Sequence, residues 1–279
     1  MITGGSGFFA KAFAKHALTD SNFNRIALMS RGEHRQFLVR QELEPLDDHA
    51  KLRWFIGDVR DRDRLRRAME GVDIVIHAAA LKRIEVGQYD PLEVTKTNVG
   101  GAANVIEAAH DAGVKKVVAL SSDKAYQPVS PYGLSKALAE SIFLAANNAR
   151  GKSGPRYAVC RYGNIWCSTG SVVPIWRQMI KGGATTVPVT LESCTRFFMK
   201  IEEAVQLVLD TIRLMPDYVM IPTLPAYRLG DLAYAMGVGM DIKGLPAWEK
   251  EHESMDAGKS SDLARRMSVE ELKQALLDA

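Results

Sequence analysis

The chain opens "MITGGSGFFAKAFAKHAL" (residues 1–18), and the reading of this stretch decides the fold. Gly4, Gly7 and Ala10 stand at GxxGxxA spacing directly ahead of a helical run. Small residues at that spacing let the backbone turn tightly and approach a pyrophosphate, whose charge a helix N-terminus favours. Glycines cluster in many turns, so the motif alone does not decide. Its context does: strand–helix alternation follows, and the motif occupies the first turn, where dinucleotides bind. Only Met1, Ile2 and Thr3 precede the glycines, whereas a strand is ordinarily about five or six residues long. Either the chain is truncated here or its first strand is unusually short.

Outward from the glycines, short Val- and Ile-rich runs alternate with helical patterns. The expected strands are "RIALMS" (25–30), "KLRWFIG" (51–57), "VDIVIHAA" (72–79), "VKKVVALSS" (114–122) and "RYAVCRYGN" (156–164). Between them, helical spacing covers residues 61–70, 91–113 and 130–149. This alternation predicts right-handed βαβ units and an α/β fold with a doubly wound parallel sheet. The near-continuous apolar run of residues 72–79 suits a strand covered on both faces. After about residue 165 the rhythm loosens. "PVT" (188–190) reads as a strand and "KIEEAVQLVLDTI" (200–212) as an amphipathic helix. A last helix opens on the capping pair Ser268 and Glu271. The pattern predicts a dinucleotide-binding domain over residues 1–165. A smaller substrate-binding lobe would follow over 166–279, with part of the chain returning to the first domain.

Composition narrows the function classes. At 279 residues, 47% apolar and 25% charged, the chain is an ordinary soluble globular protein. A net charge of +3 is too small and too dispersed for nucleic acid. The basic run "RDRDRLRR" (60–67) is interleaved with acids and reads as a solvated helix face. Cys160, Cys167 and Cys194 have no paired spacing, which suggests free thiols in a reducing compartment. No apolar run approaches the roughly 20 residues that span a bilayer, and no signal segment is read at the start. The expectation is a cytoplasmic protein with no membrane, nucleic-acid or metal partner.

The second strand ends in Ser30 and Arg31, where binders of the unphosphorylated dinucleotide usually carry an acid. A hydroxyl and a guanidinium fork suit a 2′-phosphate, favouring NADP over NAD; the plain alternative is a loop arginine in water. Gly4, Gly7 and Phe8 would meet the pyrophosphate. Asp58 and Val59 would sit at an adenine edge. Ala78, Ala79 and Lys82 of "AAALK" would line the nicotinamide side. Chemistry concentrates in "SSDKAYQPVSPYGLSK" (121–136). Tyr132 and Lys136 stand at YxxxK spacing and share a helix face. An ammonium beside a phenol lowers its pKa, so tyrosine can act as a base near neutral pH.

With these motifs on the page, the sequence resembles the extended short-chain dehydrogenase/reductase superfamily. More closely, it resembles the inverting UDP-N-acetylglucosamine 4,6-dehydratases of the polysaccharide-biosynthesis CapD-like family. The resemblance runs from Ile2 to about Leu277. It rests on "TGGSGFFAKAF", "SRGE", "GDVRD", "HAAALKRIE", "KTNVGGAANVIEAA", "SSDKAYQPVSPYGLSKA", "RYGNIWCSTGSVVPIW", "TRFFM", "HESM" and "SSDLARRMSVEELK".

The resemblance implies roles for single residues. Tyr132 would take the C4 hydroxyl proton as the C4 hydride goes to NADP+, with Lys136 holding Tyr132 and the nicotinamide ribose. Lys124 would remove the C5 proton and Asp123 would protonate the departing C6 hydroxyl; the product would be a UDP-4-keto-6-deoxy sugar inverted at C5. Retaining relatives carry Asp-Glu where this chain has Asp123-Lys124. Away from the resemblance, Lys124 reads as a solvated loop lysine. Ser122 would hold the C4 oxygen. Lys82, Asn164, Ser171, Val172, Thr195 and Arg196 would bind the sugar nucleotide. Asn98 would bridge the cofactor strand and the active-site helix. Lys200 and the loose match of residues 229–255 depart from the family pattern and put the exact sugar in doubt. A UDP-sugar epimerase acting at C4 or C5, and a non-catalytic NADP(H)-binding sensor or scaffold, remain open. A homo-oligomer, dimer or hexamer, is expected from relatives.

Overall fold

The computed structural model, which describes residues 1–279, is organised around one parallel sheet. Its first six strands are β1 (Ile2–Thr3), β2 (Ile26–Ser30), β3 (Leu52–Ile56), β4 (Ile74–His77), β5 (Lys116–Ser122) and β6 (Arg156–Tyr162). Between them run α1 (Phe8–Thr19), α2 (Glu33–Leu43), α3 (Arg62–Ala68), α4 (Ile84–Tyr89), α5 (Pro91–Thr95), α6 (Gly101–Asp111) and α7 (Pro131–Ala149). The rest of the chain forms α8 (Val172–Lys181), β7 (Thr186–Val189), β8 (Thr195–Phe197), α9 (Ile201–Leu214), β9 (Val219–Met220) and β10 (Ala226–Arg228). It ends with α10 (Leu229–Ala235), β11 (Gly239–Ile242), β12 (Ser254–Asp256), β13 (Lys259–Ser260) and α11 (Val269–Leu277).

The main sheet has seven strands in the order β3-β2-β1-β4-β5-β6-β9, and its pairings are parallel. This is the expected doubly wound α/β fold. The order reverses between β1 and β4, where such sheets open a crevice at their carboxyl edge. β1 has only two residues. Its side chains still pair with both neighbours in register, Ile2 with Leu28 and Ile76.

Side chains alternate between the two faces of the strands. Leu28, Ile76, Val118, Leu120 and Cys160 pack on one face with Phe9 and Phe13 of α1 and Val205 and Val208 of α9. Met29, Val75, Val117, Ala119 and Val159 pack on the other with Leu65, Val105 and Phe143. Both faces are covered, which is why strand sequences read as continuous apolar runs. A separate cluster of Val173, Trp176, Val187, Phe198, Tyr227, Leu232 and Leu272 holds the C-terminal elements together. α11 starts on the expected capping box: Ser268 Oγ accepts from the Glu271 amide at 3.1 Å, and Glu271 accepts from the Ser268 amide at 2.8 Å. All three cysteines are unbonded thiols. No helix is long and apolar enough to cross a membrane.

One expected helix is broken. Residues 91–113 form α5, a widened π-type turn over Lys96–Gly100, and then α6. A β-carbon on Gly101 would lie 2.7 Å from Val59 Cγ2, so the chain reaches the loop after β3 only with glycine there. A widened turn of this kind re-aims its side chains, here those of Thr97 and Asn98.

A buried ion pair ties α7 to β6. Arg161 Nε donates to Glu140 Oε1 at 2.9 Å, and a second guanidinium nitrogen donates to Oε2. Arg161 also donates to the Met255 carbonyl on β12. Removing one partner of such a pair strands a buried charge and costs about 3–5 kcal/mol. Arg161→Leu is therefore expected to lower unfolding free energy by about that amount in chemical denaturation. Arg161→Leu combined with Glu140→Leu should recover part of the loss, which a double-mutant cycle will measure.

Candidate active site

The expected cofactor residues collect at the carboxyl edge of the sheet. Gly4 has φ +71°, and a β-carbon there would lie 2.9 Å from the Ala79 amide nitrogen and 3.0 Å from the Ala78 carbonyl carbon. Glycine is required on both counts, since the turn after β1 is pressed against the end of β4. Gly7 caps α1 with no side-chain hydrogen bond, and the first turn carries no acid. That leaves a helix N-terminus open to an anion. Thr3 Oγ1 pairs with His77 Nδ1 at 2.9 Å and accepts from the Ala79 amide at 3.3 Å, fixing this crossing. Burial, aided by the Lys136 charge, pulls His77 down to about 3, so it is neutral.

At the end of β2, Ser30 is buried and its hydroxyl accepts from Gln36 Nε2 at 3.3 Å. Its expected contact with a 2′-phosphate is therefore partly spent inside the protein. Arg31 is half exposed, with Asp58 Oδ2 at a loose 3.9 Å, so its fork is available to an anion. Asp58 itself is engaged by Arg60 at 2.7 Å, and Val59 is buried against Gly101. Asp58 is held below its usual range: burial opposes its charge, and hydrogen bonds from Arg60 outweigh that. The tight glycine cradle and the uncapped helix fit the pyrophosphate of a dinucleotide.

Asn98 makes the bridge expected of it. Its Oδ1 accepts from the Leu81 amide at 2.8 Å. Its Nδ2 donates to the Leu81 carbonyl at 3.0 Å and to Ser135 Oγ at 2.9 Å. Ser135 Oγ donates on to the Tyr132 carbonyl at 2.7 Å. The loop after β4 is thereby locked to the first turn of α7. That helix starts on Ser130, which caps the Gly133 amide at 3.1 Å, and on Pro131. A β-carbon on Gly133 would fall 2.4 Å from the Lys124 carbonyl oxygen, so α7 sits directly on the Asp123–Ala125 turn.

In that turn, Asp123 is fully buried. Its Oδ1 accepts from Ser122 Oγ at 2.8 Å and from Lys124 Nζ at 3.2 Å, while Oδ2 has no partner. Lys124 is not a solvated loop lysine. Its Nζ lies 3.2 Å from Asp123 Oδ1 and 3.2 Å from Glu253 Oε1. Burial works against its charge, but Asp123 and Glu253 outweigh that and raise it above its ordinary value. In the resting site it is an ammonium ion, whereas the expected base has to be neutral.

The two lysines also divide their effects differently from the expectation. Lys136 Nζ donates to the Leu120 carbonyl at 2.5 Å, and burial brings its ammonium down to about 8. The charge that lowers the Tyr132 phenol is that of Lys124, with help from a Ser122 hydrogen bond. Burial still keeps Tyr132 above its ordinary value, with Asp123 and Glu253 adding to the rise.

The expected sugar-nucleotide residues separate into two groups. Lys82 Nζ spans the cleft to the Thr169 carbonyl at 2.8 Å; burial and Arg83 lower it. Asn164 and Val172 are half buried, and the Ser171 hydroxyl is buried without a partner. These remain available to a ligand. Thr195 is not: its hydroxyl pairs with His252 Nδ1 at 2.9 Å and Ser261 Oγ at 2.6 Å, and so pins the C-terminal hairpin. Arg196 is buried, donating to the Thr195 and Glu251 carbonyls at 2.9 and 3.1 Å and to Glu249 Oε2 at 3.3 Å. Its fork is occupied by this chain rather than open to the sugar nucleotide expected there. Sequence reasoning missed Glu249, Lys250 and Glu253. The "HESM" stretch holding Glu253 stood among the family motifs, but nothing local marks that carboxylate as a neighbour of Lys124.

The buried Lys136 yields a pH signature. Its folded value of about 8 lies below the ordinary 10.5, so the unfolded chain binds more protons between those values. Stability from this group rises with pH across that window. The stability of Lys136→Met relative to the parent is expected to fall by about 3 kcal/mol between pH 7 and pH 10.5. Denaturant unfolding at the two pH values checks it.

Comparison with known proteins follows the same lines. The family described as "Polysaccharide biosynthesis protein" matches residues 1–269. The chain is 42% identical over 266 residues to the UDP-N-acetylglucosamine 4,6-dehydratase (inverting) of Campylobacter jejuni subsp. jejuni, covering 94% of this chain and 78% of that one. It is 42% identical over 277 residues to the UDP-glucose 4-epimerase of Rickettsia typhi, covering 94% and 80%. The X-ray structure of Pen from Bacillus thuringiensis superposes with a TM-score of 0.93 at 30% identity, covering 99% of this chain and 96% of that one.

Proposed function

The chain belongs to the polysaccharide biosynthesis protein family, and from that premise we propose that it is a nicotinamide-dependent UDP-N-acetylglucosamine 4,6-dehydratase that inverts C5. One observation carries the reading. At the end of β5 a buried carboxylate and a half-buried lysine touch at 3.2 Å beside Tyr132. Likeness to the inverting dehydratase of Campylobacter jejuni supports the same assignment.

A nicotinamide dinucleotide bound at the glycine turn would supply reversible oxidation at the sugar. The chain's own residues supply the proton chemistry. Tyr132 takes the C4 hydroxyl proton as its phenolate, the form that the neighbouring Lys124 ammonium favours, while Ser122 holds the C4 oxygen. A C4 ketone acidifies the neighbouring C5–H. Transfer of one proton from Lys124 Nζ to Asp123 along their contact turns an ion pair into a neutral amine and a neutral acid. Those are the two species that elimination needs: Lys124 removes the C5 proton and Asp123 protonates the C6 hydroxyl as it leaves as water. The transferred proton arrives on Asp123 Oδ1, the oxygen in contact with Lys124, while Oδ2 has no partner. Lys136 and Asn98 hold the helix and loop that frame the site. Lys82, Asn164, Ser171 and Val172 would receive the sugar nucleotide. For the dinucleotide, the open Arg31 fork favours a 2′-phosphate and hence NADP.

A second reading, epimerisation at C4, is favoured by the equal identity to the Rickettsia typhi 4-epimerase. Incubation with UDP-N-acetylglucosamine separates the two by mass and NMR. Loss of one water with inverted C5 upholds the dehydratase; an unchanged mass with a new epimer overturns it. Lys124→Glu is expected to lower dehydration by at least about 100-fold, the usual scale of a lost general base. Arg31→Ala should weaken NADP binding by about tenfold or more, the scale of a hydrogen bond to a charged group, and leave NAD binding nearly unchanged. Fluorescence titration with each reduced dinucleotide measures this.

A further inference from the structure

Beyond the residues of the reaction, the C-terminal hairpin brings a third carboxylate to the active-site lysine. Glu253 precedes β12, more than a hundred residues from Lys124 in the chain, and is 2% exposed. Its backbone is fixed on both sides: the amide donates to Ser261 Oγ at 2.9 Å, and the carbonyl accepts from the Ser261 amide at 2.7 Å. Ser261 is bonded in turn to Thr195. The side chain has little freedom to leave. One oxygen lies 3.2 Å from Lys124 Nζ and the other 3.0 Å from Lys250 Nζ.

We propose that Glu253 is a positioning residue for the general base, fixing Lys124 between the two halves of the protein and keeping its amine protonated until substrate arrives. This rests on the reading of Lys124 as the base.

The groups facing Lys124 come from every element around it. Asp123 and Tyr132 approach from β5 and α7, Arg196 from β8, and Glu253 from the hairpin; Glu249 and Lys250 lie in the segment leading to Glu253. Arg196 and Lys250 are bound to carboxylates of their own, Glu249 and Glu253. Burial opposes the charge on Glu253, but Lys124, Arg196 and Lys250 outweigh this and hold it well below the usual carboxylate range. With one oxygen against the Lys124 ammonium and the other against that of Lys250, it is held as the anion. Its effect on Lys124 is constant. Lys124 has two carboxylate neighbours in equivalent contact; Asp123 Oδ2 has no partner of any kind, whereas Glu253 Oε2, though without a hydrogen bond, lies 3.0 Å from the Lys250 ammonium. Glu253 opposes the proton transfer that frees the amine.

Two measurements test this on the full-length protein. Competitive acetylation of lysines with acetic anhydride, read by mass spectrometry across pH, reports the midpoint at which Lys124 becomes reactive and needs no turnover. In Glu253→Gln, which keeps the shape and removes the charge, that midpoint is expected to fall by at least one pH unit. Glu253→Asp keeps the charge and should remain nearer the parent. Solvent deuterium exchange at C5 of the sugar should show its rising pH limb shifted by the same amount. A midpoint in Glu253→Gln identical to the parent overturns the proposal. Should Glu253→Gln fail to fold, Lys250→Met gives the opposite sign: losing its competing cation, Glu253 holds Lys124 harder and the midpoint rises. A lower or unchanged midpoint there overturns the proposal equally. If the parent eliminates no water while the labelling shift is present, the dehydratase reading falls and the positioning of Lys124 by Glu253 stands.

Discussion

A buried guanidinium holds the parts of the site in register. Arg161 on β6 takes both oxygens of Glu140 from α7 and the Met255 carbonyl from β12. Glu140 lies two helical turns beyond Tyr132 and one beyond Lys136, on the same face. Met255 is two residues after Glu253. A single side chain therefore sets the distance between the helix that carries the phenol and the hairpin that carries Glu253. Arginine suits this position because its fork meets a carboxylate in two places and still offers a third donor. Tyr126 lies under the same guanidinium at 5.7 Å, so the loop after the Asp123–Ala125 turn is gathered into the arrangement.

With the frame fixed, charge balance shapes the chemistry. Six charged side chains, Lys124 among them, meet here: carboxylates on Asp123, Glu249 and Glu253, and cations on Lys124, Lys250 and Arg196. Burying that many charges is costly unless each has a partner, and each here has one. The same condition explains why Arg196 and Thr195 are unavailable to a phosphate. They are the foundation on which Glu253 stands.

The parts of the fold that depend on neighbouring residues were legible. The glycine turn, the Val- and Ile-rich strands and the YxxxK helix are each written within a dozen or so residues, where backbone sterics and side-chain period act directly. The break at Lys96–Gly100 was not; it lies beside the close approach of Val59 to Gly101, a contact between distant segments. The site divided in the same way. Asp123, Lys124, Tyr132 and Lys136 follow from one short stretch, and Asn98 bridges as expected. Glu253 lies in a family motif, but nothing in the sequence marks it as a neighbour of Lys124 until the hairpin closes over the turn. Arg196 looked like a phosphate ligand because an arginine's acceptors cannot be read before folding.

The two lysines of residues 121–136 show why residue type alone does not assign a role. Both are buried, and burial disfavours the charged form of each. Lys136 has a carbonyl dipole as its near partner, and desolvation wins. Lys124 has two carboxylates, and Coulomb attraction wins. The lysine with the lower proton affinity is thus the one held against the strand, and the one set between two carboxylates keeps its proton. For Lys124 to become a base, the balance between its two carboxylates has to tip toward Asp123. A neutral pair is the form that a dry cavity favours, since it removes two charges from low dielectric. Substrate that excludes water would push the Lys124–Asp123 contact toward amine and acid, while Glu253, anchored through Ser261 and neutralised by Lys250, resists. The resting enzyme would then keep its base masked and expose it only when the sugar fills the cleft.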